Sequence, residues 1–447
     1  MEEHIKGYDS GNNRDYTDRR EARRKRRRRN QILAYLTVIV MIAALATGIV
    51  IGVNALTGQA QKQEESQQSQ QSVVEEILAS EESIEIPTPT PTVVELTPEQ
   101  KLDEIVNAGI EVMPIEDKVA GLFIVTPEAI TGVNTAVKAG EGTQQALAKY
   151  AVGGIVYFAK NMQSEAQLKE MIENTHLYTK YPLFIAVDEE GGSVSRVAKA
   201  GIAEGVDSAK AIGATGDAAN AYQAGTTIGT YLSDLGFNLN FAPVADLANI
   251  EGSIMESRAY GSDAATVTPF VTSMMQGLEE NDVTACLKHF PGIGSTTKDT
   301  HDGLASTDRS KEDFQANEFA VFQAAIDAGA NMIMVGHMSA ASLAGDNTPS
   351  SLSGDVVTGI LRNEMNYDGV IITDALNMSA ISEYYGSDQA AILALKAGCD
   401  MVLMPEDFEE AYNGVLQAVA DGVISEERIN DSLRRIYRIK YADKITE

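Results

Sequence analysis

A chain of 447 residues, 44% apolar and with a formal charge of −29, is long enough for up to three domains of ~150 residues each. Its acidity excludes nucleic acid or anionic lipid as the main partner of the folded part. Its two cysteines, Cys286 and Cys399, stand alone in apolar settings. That excludes a CxxC metal framework and leaves them as small core side chains, although export would permit a disulfide.

The N-terminus runs against the overall charge. Residues 1–30 hold eleven Lys/Arg against six Asp/Glu, so residues 31–447 carry −34. Arg19 to Arg29 is almost continuous positive charge, which alone would read as a nuclear signal or a nucleic-acid arm. Its neighbour decides otherwise. Ile32 to Val53 is 22 residues without a charge, and a spanning helix needs roughly 20. Basic residues at one flank keep that flank in the cytoplasm. The reading is therefore a basic cytoplasmic tail at 1–30, a transmembrane helix at 31–56, and everything beyond it outside the cell. A cleaved signal peptide is the competing expectation, but the apolar run exceeds the usual ~7–15 residues. No cysteine follows closely enough to carry a lipid. Residues 57–100 read as a disordered linker. Gln61 to Gln71 is too polar to bury a core, and the Pro-Thr repeat from Pro87 to Thr92 extends as polyproline-like chain.

Residues 101–447 show a repeating pattern in which short apolar runs alternate with amphipathic helical stretches. The runs are Gly121–Val125, Gly153–Phe158, Leu183–Val187, Leu239–Val244, Val283–Leu287, Asn331–Val335, Gly369–Thr373 and Asp400–Met404. Several are apolar throughout, as parallel strands covered on both faces must be. Helix starts are marked by Ser164-Glu-Ala-Gln167 and Ser310-Lys-Glu-Asp313, which have the spacing of capping boxes. Phe319, Phe322 and Ile326 share one helical face, and Gly329 ends that helix. Eight strand–helix units predict an α/β fold, a (β/α)8 TIM-type barrel. A doubly wound open sheet is the alternative, but no Gly-x-Gly-x-x-Gly follows the first run.

A barrel of this kind carries its chemistry at the C-terminal ends of its strands. After the third run come Asp188-Glu-Glu-Gly-Gly192, and after the fourth Ala245-Asp246 with Arg258 further on. After the fifth come Lys288-His289-Phe-Pro-Gly-Ile-Gly294, then Asp299-Thr-His301. After the sixth comes His337, and at the end of the seventh Asp374. Some of these have ordinary explanations. Asp246 or Glu190 could cap the next helix, and His337 could be a satisfied rim histidine.

A carboxylate fixed at a strand end and kept ionised by cations can attack an electrophilic carbon, which makes Asp374 the candidate nucleophile. His301, oriented by Asp299, is the candidate proton donor and acceptor. Asp188, Arg258, Lys288 and His289 offer charged groups in fixed directions, as a polyhydroxylated ligand requires. The combination suggests glycosyl transfer through a covalent intermediate, with retention. Two other readings stay open. Asp299, His301, His337 and Asp374 could supply metal ligands, and a sugar-binding protein with a dead barrel would use the same wall.

The motifs Lys288-His-Phe-Pro-Gly-x-Gly294, Asp299-Thr-His301, Gly369-Val-Ile-Ile-Thr-Asp374, Asp188-Glu-Glu-Gly-Gly192, Asn240-Phe-Ala-Pro-Val244 and Arg258-Ala-Tyr-Gly261 resemble glycoside hydrolase family 3, in its β-N-acetylhexosaminidase branch. The likeness runs from about Glu116 to Ile445. It implies that Asp299 and His301 are the branch's mobile-loop acid/base pair, that Asp374 is its nucleophile, and that Asp188, Arg258, Lys288 and His289 hold the sugar. It implies neither cofactor nor metal, a monomeric enzyme, and release of terminal β-linked N-acetylglucosamine from cell-wall, muropeptide-like or chitin-type fragments. Phosphorolytic and β-glucosidase members are the alternatives within the family. Three positions depart from its pattern: Ile293 where His is frequent, Ser295 where Asp is, and Ser193 where Arg is. The family's β-glucosidases commonly draw an acid/base carboxylate from a second domain, for which residues 101–447 leave no room.

Overall fold

The computed structural model describes residues 96–299 and 303–442. The expected cytoplasmic tail and transmembrane helix, most of the linker, and His301 lie outside the described residues. Among the described residues, no helix is long and apolar enough to cross a membrane.

Eight parallel strands close into a barrel: β1 (Phe123–Val125), β2 (Gly154–Val156), β3 (Phe184–Val187), β4 (Leu239–Asn240), β5 (Thr284–Phe290), β6 (Met332–Val335), β7 (Val370–Ala375) and β8 (Met401–Leu403). Each lies on one of the eight apolar runs. Closure is direct, because Ile124 of β1 pairs with Gly154 of β2 on one side and Leu403 of β8 on the other. This excludes the open sheet. Nearly all strand residues are buried, since side chains of one face fill the barrel and those of the other pack under the helices.

The helices start where the sequence marks them, with two refinements. Ser310 and Asp313 form the reciprocal box. At Ser164 only half of one forms: the hydroxyl accepts from Gln167 N–H, while Gln167 reaches back to Gln163 N–H. The second refinement moves a boundary. The helix Pro98–Glu111 begins inside the expected linker, because Thr97 and Gln100 form a capping box and Pro98 takes the first helical position. This helix packs against the helix Glu426–Tyr441, where Arg434 Nε donates to Asn107 Oδ1 at 3.0 Å.

The loops above β4 and β5 are pinned to each other. Ile293 N–H donates to Asp246 Oδ1 at 2.7 Å, and Ser253 Oγ donates to Gly294 O at 2.7 Å. The segment after Asp299 returns through Ser306–Thr307, which pairs with Ser339–Ala340 beyond β6.

Candidate active site

A cavity of about 450 Å³ opens at the C-terminal ends of the strands, and six of the seven residues expected to form the site line it: Asp188, Arg258, Lys288, His289, Asp299 and Asp374. Asp299 reaches the cavity from an exposed part of the loop after β5. The position of His301 lies outside the described residues.

One wall is a lattice of charges. Alternation along extended chain points Asp188 and Glu190 one way and Glu189 the other. Glu189 turns into the protein, where it accepts from Val197 N–H (2.7 Å), Ala198 N–H (3.1 Å) and Tyr231 Oη–H (2.9 Å). Asn240 holds its backbone from both sides. So anchored, the segment presents Asp188 and Glu190 to the Lys288 ammonium, which lies 2.7 Å from an oxygen of each. Arg258 grips Glu190 with two parallel bonds, Nε at 2.9 Å and Nη2 at 2.7 Å.

These neighbours decide the charge states. Burial pushes the Glu190 carboxyl up, but Lys288 and Arg258 outweigh it and hold the pKa down at about 2. Burial pushes the Lys288 ammonium down, and Asp188 and Glu190 outweigh that in turn, leaving it raised. Glu190, Lys288 and Arg258 are therefore charged at neutral pH. Arg196 extends the lattice, 3.8 Å from Asp188 and packed over the Phe158 ring.

His289 is set by a residue that sequence reasoning treated as a helix cap. Asp246 is fully buried, and its Oδ2 lies 2.7 Å from His289 Nδ1. The same carboxylate accepts from the backbone N–H groups of His289 and Ile293. A carboxylate accepts only, so Nδ1 carries a proton. Glu190 and Asp246 are the functional residues that the sequence analysis missed. Their signal was present, since each follows a strand end, but nothing local distinguishes such an acid from a cap.

Asp374 stands at the end of β7, opposite the lattice. Burial raises its pKa, yet the positive field of His289 and His337, the Ala375 N–H at 2.8 Å and Lys288 together lower it. It is an ionised carboxylate facing a cavity, as a nucleophile must be. The apolar floor and sides come from Val156, Phe241, Met334, Met378 and Leu403.

Of the four candidate metal ligands, Asp299, His301, His337 and Asp374, His301 lies outside the described residues. Among the described residues, no three His, Cys, Asp or Glu side chains come together in a way that could hold a metal ion. His337 is turned elsewhere, its ring nitrogens facing Ser351 Oγ and Ala375 O.

Comparison with known proteins identifies the family. The sequence model of the glycosyl hydrolase family 3 N terminal domain matches residues 114–439. Beta-hexosaminidase A of Pseudoalteromonas piscicida is 31% identical over 326 residues, covering 66% of this chain and 54% of that enzyme. The chain thus spans about half the length of that relative. A beta-hexosaminidase of Nitrosomonas eutropha is 33% identical, covering 58% of this chain and 75% of its own. Among solved structures, a family 3 beta-N-acetylglucosaminidase from Paenibacillus is 32% identical with a TM-score of 0.68, covering 75% of this chain and 64% of that one. The barrel, the motifs at its strand ends and the match over residues 114–439 lead to one conclusion: the chain belongs to glycosyl hydrolase family 3.

Proposed function

We propose that the protein is a retaining, exo-acting β-N-acetylhexosaminidase that removes terminal β-linked N-acetylglucosamine. The observation that carries this is Asp374, ionised at a strand end and facing, across a cavity sized for a small ligand, a lattice built to hold hydroxyl groups. The relatives named beta-hexosaminidase and beta-N-acetylglucosaminidase support the choice of sugar.

In this reading Asp188, Lys288, His289 and Arg258 bind the sugar hydroxyls. Lys288 and Arg258 are paired with Asp188 and Glu190, so substrate hydroxyls meet directed donors and acceptors rather than a net field. An Asp374 oxygen attacks the anomeric carbon as the bond to the leaving oxygen breaks, and His301 protonates that oxygen. Water then attacks the glycosyl-aspartate and gives its proton back to His301. Two inversions make net retention. Asp299 orients His301 and sustains its basicity. The apolar N-terminal segment and the long linker support a reading in which the enzyme lies outside a membrane that it spans once, near cell-wall glycans. Protease added to intact cells should remove residues 101–447; their full protection would sink that topology.

The test is kinetic and chemical. The enzyme should turn over an aryl N-acetyl-β-glucosaminide in preference to the aryl glucoside, and chelator should leave the rate unchanged. Mass spectrometry of quenched enzyme should show N-acetylhexose on the peptide containing Asp374. Asp374→Asn should keep the fold and lose turnover by at least ~10³-fold, because the covalent route needs the carboxylate. Near-normal turnover by that variant overturns the mechanism. Preference for the glucoside overturns the substrate. Sugar phosphate formed in added phosphate replaces hydrolysis by phosphorolysis.

A further inference from the structure

The wall behind Asp374 contains a histidine that the proposed mechanism does not use. His337 is fully buried, two residues past the end of β6. Its Nε2 lies 2.9 Å from the backbone oxygen of Ala375, and its Nδ1 lies 2.8 Å from Ser351 Oγ. A carbonyl oxygen only accepts, so Nε2 carries a proton and donates it there. Nδ1 faces the Ser351 hydroxyl, which can accept from it or donate to it and so holds that edge of the ring in either protonation state.

Both ends of this bridge are rigid. Ser351 is buried, and its N–H donates at 3.1 Å to the oxygen of Gly336, the residue before His337. Ser350 Oγ donates at 2.6 Å to the oxygen of Met338, the residue after it. At the other end, the peptide joining Ala375 to Leu376 is held on both edges. His337 takes its oxygen, and its N–H donates to Leu403 O at 2.9 Å. Holding that peptide fixes the backbone of Ala375. The Ala375 N–H donates in turn to Asp374 Oδ1 at 2.8 Å.

The chain of contacts therefore runs Ser351, His337, Ala375, Asp374, and ends on one carboxylate oxygen. That contact fixes how the carboxylate is turned on the end of β7. We infer that His337, held by Ser351, is a positioning residue for the nucleophile, setting through Ala375 the direction from which Asp374 approaches the anomeric carbon. The inference rests on Asp374 acting as proposed above.

The experiment measures the pre-steady-state burst of aryl alcohol released when the enzyme meets an excess of an aryl N-acetyl-β-glucosaminide, whose rate reports glycosylation of Asp374 alone. His337→Leu keeps much of the volume and removes both polar contacts. Its burst rate should fall roughly 10–100-fold, the scale of a small misplacement of reacting atoms, while the substrate concentration for half-maximal burst shifts less than about twofold. His337→Gln retains an N–H at about the reach of Nε2 and should recover most of the lost rate. A purely structural role would lower the melting temperature of both variants, leave the burst of folded enzyme intact, and give Gln no advantage. Unimpaired burst in His337→Leu, equal losses in Leu and Gln, or a loss confined to substrate affinity each overturns the inference. If His337→Leu does not fold, Ser351→Ala takes its place: it frees the ring at Nδ1 and should slow the burst several-fold, and an unchanged burst overturns the inference as well. Asp374→Asn separates the two layers. If it retains turnover, the proposed mechanism and this inference fall together. If it is inactive and His337→Leu is unimpaired, only this inference falls.

Discussion

Glu190 sits nearly buried between two cations in the cavity wall, so its charge is the hinge on which the sugar-facing wall turns. Without it, Arg258 loses both of its short bonds and Lys288 keeps Asp188 as its remaining acidic contact in the lattice. Breaking a buried pair by removing one partner leaves an uncompensated charge and costs about 3–5 kcal/mol. Glu190→Gln should therefore lower stability by that order and raise KM more than it lowers kcat, because the wall that binds hydroxyls loosens while Asp374 is untouched. The pH dependence gives the sign. The folded carboxyl titrates at about 2, below its unfolded value of ~4.3. Its contribution is complete above the unfolded pKa and is lost as pH falls through the folded one. Thermal melts should show a constant gap between wild type and Glu190→Gln from pH 7 to about 5, narrowing below. A gap that does not narrow would mean that the carboxylate is not the source of the loss.

At the scale of elements, two glycines set the base of the loop after β5. Gly292 and Gly294 serve close packing there rather than flexibility. A Cβ on Gly294 would lie 1.8 Å from Leu247 O, and one on Gly292 would lie 2.4 Å from Glu318 Cγ, at a φ of +123°. The loop base is thus clamped through Thr296, whose oxygen accepts from Ile254 N–H, and exposed chain begins only at Thr297. Gly294→Ala should act as overpacking, costing at least about 1–3 kcal/mol in a denaturant melt and lowering activity with the fold. A true hinge would instead change kcat at unchanged stability. The same contrast explains what was legible in the sequence. The eight strands could be read because parallel strands must be apolar on both faces, a property of consecutive residues. Asp188, Lys288, His289, Arg258 and Asp374 could be placed because each follows such a run. Glu190 and Asp246 could not be assigned, because their partners stand far off in the chain: Arg258 is 68 residues from Glu190, and His289 is 43 from Asp246. Local spacing carries no trace of such pairs.

Across the whole molecule, the two ends of the barrel handle buried charge differently. At the C-terminal face every buried cation of the lattice meets a carboxylate. At the N-terminal face Lys440 is buried with a backbone oxygen, Gly153 O at 2.7 Å, and the rings of Phe184 and Tyr437 about it. A cavity of about 1090 Å³ opens there, away from the chemistry. Ring faces and one carbonyl do not replace the hydration of an ammonium, so burial lowers the Lys440 pKa to about 7. The unfolded chain keeps that proton up to ~10.4. Between these values the unfolded state binds more protons, so this group makes stability rise with pH, by at most about 1.4 kcal/mol per pH unit. Lys440→Met retains the length and apolar stem of the side chain without the charge. Its stability should lack that rise, while every other titration is shared with the wild type. Denaturant melts of both proteins at pH 7, 8 and 9 therefore isolate one group by difference. Wild type should gain on Lys440→Met at each step, and parallel curves would show that Lys440 stays protonated, held by the two rings and Gly153 rather than neutralised by burial.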